Sequence, residues 1–130
     1  MNGLAAVCRP LSLFEKYGGI SALRSVIMDF YDRVLDNDVI GHFFDNVDMV
    51  RLIDHQTKFF AMLLGGPADF SEERLIRAHA FMKLTHQDFD EVAKLLSETL
   101  TAAGFDPADI QTVLIAVEAR RGLIVNQGEY

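Results

Sequence analysis

Residues 20–35 read ISALRSVIMDFYDRVL, with apolar side chains at Leu23, Val26, Ile27, Phe30, Tyr31 and Val34. Steps of three and four residues put these positions on one face of an α-helix, whereas a strand would alternate. The stretch predicts an amphipathic helix with a buried stripe, ended by Asp36-Asn37-Asp38. Upstream, Ser12-Leu13-Phe14-Glu15 fits a capping box, in which a hydroxyl and a Glu three residues later satisfy backbone donors at a helix start. Gly18-Gly19 then stops that helix after about two turns. Downstream, Val39 to Asn46 is a compact corner holding His42, Phe43 and Phe44, and rings of that size need a cover where loops are usually polar.

The same reading extends along the chain. Asp48 can cap the next helix, which carries Leu52, Gln56, Phe59, Phe60 and Leu63 on one side, with His55 at the edge of that side, until Gly65-Gly66-Pro67. Ser71 followed by Glu72 and Glu73 opens a short helix bearing His79. Thr85 to Asp88 is a second capping box, before a helix with Phe89, Val92, Ala93, Leu96 and Leu100 inward and Gly104 at its end. Asp106-Pro107 starts a last helix whose apolar face is Ile110, Val113, Leu114, Val117 and Ile124. No segment alternates like a strand, so the expected fold class is all-α.

With 130 residues, half of them hydrophobic, the chain is one domain's worth and has a globular composition. No linker or repeat divides it; we expect residues 1–11 to be a mobile N-terminal extension, 12–125 the domain and 126–130 a tail. Twelve Lys and Arg against nineteen Asp and Glu give a net charge of −7, which argues against a nucleic-acid backbone or an anionic membrane as partner. No apolar stretch reaches the roughly 18–20 residues that span a bilayer, and Leu4 to Val7 is too short for a secretory core, so the expected location is the cytoplasm. Cys8 stands alone and cannot make an internal disulfide or a thiolate cluster, so any metal must be held by His or carboxylate.

The candidate reactive groups are His42, His55, His79 and His86, and their spacing contains no His-x3-His pair. A serine nucleophile elbow, a phosphate-cradling loop and an EF-hand loop are absent as well. Gln56 is the informative residue, a polar amide interrupting an aromatic and aliphatic face. A buried amide needs a partner, and a neighbouring backbone carbonyl would suffice. Tyr31 suggests a second possibility: two donors inside a shell of Phe30, Phe44 and Phe60 form a pocket for a small polar ligand within an apolar cofactor site. The rings by themselves also read as ordinary core.

Taken together and in order, Ser12 to Gly19, Phe30-Tyr31-Asp32-Arg33-Val34-Leu35, Phe43-Phe44, Asp48-Met49, His55-Gln56, Leu64-Gly65-Gly66-Pro67 and Ala78-His79 resemble the truncated haemoglobins, in particular the group I (N-type) branch. The resemblance runs from Ser12 to about Val125. It implies a two-over-two helical sandwich around one haem b, iron protoporphyrin IX, and a protein that binds oxygen, nitric oxide and carbon monoxide.

On that resemblance His79 matches the proximal iron ligand, its second ring nitrogen donating to a backbone carbonyl or similar acceptor. Phe44 matches the ring packed on the haem face, with Phe30, Phe59 and Leu63 also against the cofactor. Tyr31 and Gln56 match the distal donors, each hydrogen bond to bound oxygen contributing about 1–2 kcal/mol, or roughly tenfold in its release. Leu52 stands where larger globins usually have a distal His, and Phe60 matches a ring that gates a gas tunnel in some relatives. His55 departs from the common Lys or Arg; some cyanobacterial and algal relatives use His there as a sixth iron ligand, and the alternatives are a haem propionate contact or simple exposure. Lys58, Arg51 and Arg77 are the candidate propionate cations, and no His matches the C-terminal one that some cyanobacterial relatives attach to haem.

The resemblance leaves several functions open. One is an enzyme, a nitric oxide dioxygenase served by an external reductase. Another is a binding or electron-transfer module in which iron held by His55 and His79 changes oxidation state or senses a gas. A haem-free helical interaction domain is a third. The chain is expected to be a monomer.

Overall fold

The computed structural model of the chain describes residues 12–66 and 84–125, and the regular elements among these are all helical. Helix α1 spans Leu13–Lys16, α2 Gly19–Leu35, α3 Met49–Leu63, α4 His86–Ala102, α5 Pro107–Glu118 and α6 Arg121–Ile124, with a 3-10 turn at Gly41–Phe44. Three of the caps read from sequence form as expected, and the helix start expected at Ser71 lies outside the described residues. Ser12 and Glu15 exchange side-chain and backbone bonds, as do Thr85 and Asp88, and Asp48 accepts from the Arg51 N–H. Each replaces a backbone partner that the first helical turn lacks.

Helix α1 is a single turn, shorter than expected, because Gly18 adopts φ 103° and redirects the chain at once into α2. The stripe of α2 is buried through Leu23, Ile27, Phe30, Tyr31 and Val34. It packs most extensively on α3 and also crosses α4, which packs on α5, so two helical pairs stack with α2 joining them. Burial of each large side chain in that layer is worth about 1.5–3 kcal/mol. Two hydroxyls lie fully inside it: Thr57 donates to the Ile53 carbonyl at 2.7 Å and Thr99 to the Leu95 carbonyl at 2.8 Å, so neither carries an unmet polar group.

Two crossings near α1 tie it to the rest of the stack. The Phe14 N–H donates to the Leu64 carbonyl at 3.0 Å, and its ring lies so close to Gly66 that an added Cβ would sit 2.6 Å from Phe14 Cγ. Only glycine admits that approach. Beside it, Tyr17 stacks on Phe105 with ring centroids 3.7 Å apart, donates to Asp109 Oδ2 at 2.5 Å and accepts from the Asp106 N–H at 3.0 Å. Lys16 pairs with both acids, at 3.0 Å to Asp106 and 2.6 Å to Asp109.

The last helix differs from the sequence expectation. Ile124 is not on the helix that starts at Pro107: α5 ends at Glu118, the chain turns through Ala119 and Arg120, and Ile124 belongs to α6. Arg121 fastens that short helix to α4, its guanidinium 4.4 Å from the Phe89 ring centroid and bonded to Asp90 and Glu118. After the turn, Leu123 and Ile124 pack against the core.

Candidate functional site

Between the two helical pairs lies an apolar cavity of about 330 Å³, within the range of small-molecule and cofactor sites. Helix α2 contributes Phe30, Tyr31 and Val34, and the corner after it Ile40, Phe43 and Phe44. Helix α3 adds Leu52, His55, Gln56, Phe59 and Phe60. The opposite wall is Leu84, Phe89, Val92 and Leu96, and the C-terminal turn closes it with Val117, Arg120 and Ile124. The two exposed-looking rings of the corner thus find their cover, half-buried against the cavity.

Most of the residues singled out in the sequence meet here. Phe30, Tyr31, Phe44, Leu52, His55, Gln56, Phe59 and Phe60 all line the cavity. Leu63 does not; it packs at the edge of the core beyond the cavity. His79 and Arg77 lie outside the described residues. Among the other sequence candidates, Lys58 pairs with Asp54 at 3.1 Å and Arg51 is exposed, so neither cation faces the cavity. His42 is exposed with its ring against Phe43, and His86 is exposed at the start of α4, its Nδ1 3.1 Å from the Arg121 guanidinium.

Two of the polar lining residues, Tyr31 and Gln56, meet each other, while His55 and Arg120 stand apart from that pair in the wall. Gln56, half-buried on α3, shares a hydrogen bond with the Tyr31 hydroxyl, which gives the amide its partner. The Tyr31 ring is held edge-on by Phe30 at 4.9 Å and by Phe44 at 5.7 Å, and only 4 % of the residue is exposed. Burial pushes the phenol well above its ordinary range, with the Gln56 hydrogen bond opposing. Tyr31 is therefore a neutral donor at any physiological pH, fixed in orientation by two rings and one amide. A phenol and an amide together have more donors and acceptors than one mutual bond uses, so the pair can also grip a small polar ligand.

Helix geometry explains how α3 supplies both imidazole and amide. His55 and Gln56 are successive residues, about 100° apart around the helix axis, and the cavity wraps far enough around α3 to receive both. The residues fit a flat apolar macrocycle: rings and branched side chains form its walls, and His55 offers a nitrogen ligand. Among the described residues no three His, Cys, Asp or Glu side chains come together to hold a bare metal ion; an iron porphyrin would be held by the apolar walls, with the His55 nitrogen available to its iron.

Arg120 is the charged lining residue that sequence reasoning missed. Its signal was present: Val113, Val117, Arg120 and Ile124 follow the three-then-four spacing of the apolar stripe, so position 120 belonged to the inward face although it is charged.

Comparison with known proteins places these features in context. The family model described as bacterial-like globin matches residues 12–126. The chain is 34 % identical over 113 residues to a group 1 truncated haemoglobin of Tetrahymena pyriformis, covering 87 % of this chain and 93 % of that one. A group 1 truncated haemoglobin of Mycolicibacterium paratuberculosis is 35 % identical over 108 residues, with 83 % and 79 % covered. Among solved structures, the Fe(III) form of the Tetrahymena pyriformis protein superposes with a TM-score of 0.82 at 33 % identity, covering 89 % of this chain and 99 % of that one. A 2/2 haemoglobin of Synechococcus in the cyanomet state, with covalently attached haem, gives a TM-score of 0.82 at 30 % identity over the same shares.

Proposed function

The chain belongs to the bacterial-like globins and, among them, to the group 1 truncated haemoglobins, and from that premise we propose that its cavity holds haem b between His79 and a distal wall of Tyr31, Gln56 and Leu52. Membership carries haem-based binding of diatomic gases such as oxygen. Bound haem supplies the iron at which the gas is taken; the rest is the work of the chain. Phe44 and Phe59 press on a flat ring system, and Leu52 keeps water from the distal space. Tyr31 and Gln56 donate to the end of the ligand that carries partial negative charge, each bond contributing about 1–2 kcal/mol. The observation that supports this reading is the buried Tyr31 paired with the half-buried Gln56, a polar couple facing a mostly apolar cavity.

Nitric oxide and carbon monoxide fall within the same ligand class. As an enzyme the protein would convert nitric oxide to nitrate, with a reductase as electron donor; residues 12–125 are the working unit, a monomer in the cytoplasm. No helix among the described residues is long and apolar enough to cross a membrane.

A second reading is favoured by the position of His55 in the cavity wall. There its imidazole would be a second ligand to a haem iron, which a gas would have to displace, so apparent affinity would fall by the fraction of time the site is open. Iron held by two imidazoles suits electron transfer or redox and gas sensing.

Absorption spectra of the haem-loaded protein separate these readings. His79→Ala is expected to lose the pigment or change its spectrum, and an unaltered spectrum removes His79 as ligand. His55→Ala is expected to turn a low-spin ferric spectrum high-spin, and no change there leaves the pentacoordinate gas binder. Mixing the oxygen-loaded protein with nitric oxide then separates enzyme from carrier, since immediate ferric product means dioxygenation.

A further inference from the structure

One positive charge in the cavity wall has no role in the reading above. Arg120 lines the cavity beside Val117 and Ile124, half-buried, with its guanidinium carbon 5.9 Å from the Phe59 ring centroid. Its Nη1 donates to the Ala116 carbonyl at 2.8 Å. No carboxylate pairs with it among the described residues, although its neighbour Arg121 binds both Glu118 and Asp90. Lys16, Arg24, Arg33 and Lys58 are likewise paired with acids, and Arg51 and Lys94 are exposed away from the cavity. An uncompensated cation beside an apolar space is costly, and a ring face and one carbonyl offset only part of that cost. The remainder is available to act on whatever occupies the cavity.

We propose that Arg120 is a fixed positive charge that biases an iron porphyrin in this cavity toward its reduced state, a redox-setting residue in place of an iron ligand. The proposal rests on the reading of the cavity as a haem site. The physical argument is short. Oxidised iron porphyrin carries one more positive charge than the reduced form, so a neighbouring cation raises the free energy of the oxidised form more. An apolar wall screens that interaction less than water does, and partial burial weakens the screening by salt. Anchoring by Ala116 and Phe59 keeps the guanidinium from turning out to solvent, where the effect would vanish.

The test is an oxidation–reduction titration of the full chain loaded with haem, read by absorption, for the native protein and for Arg120→Gln, Arg120→Met and Arg120→Lys. Gln keeps a donor for the Ala116 carbonyl, Met keeps an unbranched stem over Phe59, and Lys keeps the charge. The two neutral variants are expected to shift the ferric-to-ferrous equilibrium about tenfold toward ferric, ~59 mV for one electron. Lys should stay near the native value, and the spectra should show unchanged axial ligation. Equal shifts in all three variants would assign Arg120 to packing and overturn the proposal. No shift in either neutral variant, with haem bound normally, would overturn it as well and leave the haem reading intact. Failure of the native chain to take up haem would sink both.

Discussion

Tyr17 and Tyr31 are the same side chain put to opposite uses. Tyr17 sits at the molecular edge, stacked on Phe105, and spends its hydroxyl in both directions: it donates to Asp109 and accepts from the Asp106 N–H. Nothing is left over. Tyr31 is buried among rings, and its hydroxyl meets a single amide at the wall of a cavity. The first fastens α1 to the start of α5 and the second faces space that a ligand can fill. Saturated hydrogen bonding marks a fastener, and spare capacity beside a void marks a binding group.

The contrast can be broken by substitution. Tyr17→Ala removes a stacked ring and two hydrogen bonds, and is expected to cost about 3–5 kcal/mol in urea unfolding while oxygen release stays within about twofold of native. A faster release would mean that the edge and the cavity are coupled. Tyr31→Phe should do the reverse: oxygen release faster by about tenfold, equivalent to ~1.4 kcal/mol, with the urea midpoint little moved, read by stopped flow and by denaturation. A large loss of stability with unchanged release would recast Tyr31 as a fastener.

Titration sharpens the comparison with smaller effects. Asp109 is held below the usual carboxylate range, first by the Lys16 hydrogen bond and then by that of Tyr17. Its contribution to stability is therefore present above the ordinary Asp value and lost as pH falls through the lowered one. Asp109→Asn should flatten the acid limb of a stability–pH profile below about pH 4. Tyr31 is shifted the other way by burial, so its contribution is complete below the ordinary phenol value and declines as pH rises beyond it. Tyr31→Phe should flatten the alkaline limb above about pH 10 and leave the acid limb alone.

How much of this was legible beforehand follows from what each signal encodes. Caps at Ser12, Asp48 and Thr85 depend on residues three apart, and all were readable. The stripe of α2 gave the buried face, because periodicity reports direction around a helix axis. It does not report height along that axis, which is why Leu63 was grouped with Phe59 although four residues place it about 6 Å further on, beyond the cavity. The turn at Ala119 and Arg120 carries neither Gly nor Pro, so no local residue announced the separation of α5 from α6. The Tyr17 fastening joins residues 92 apart, a pairing that only the assembled fold defines. Arg120 was visible by spacing and passed over by chemistry, since a charged side chain on an apolar stripe looks like an interruption.

The grip of Phe14 on Leu64 and Gly66 has a mechanical consequence. It clamps the C-terminal end of α3, whereas the opposite end begins at an exposed cap followed by Val50, which is 80 % exposed. Any tilt of α3 therefore pivots near Leu64. His55 lies on a lever arm of about 13.5 Å and Phe60 on one of about 6 Å, so a tilt of about 5° would carry the imidazole ~1.2 Å and the ring ~0.5 Å. Small rocking of one helix would thus reposition the histidine while leaving the aromatic wall near its fulcrum almost still.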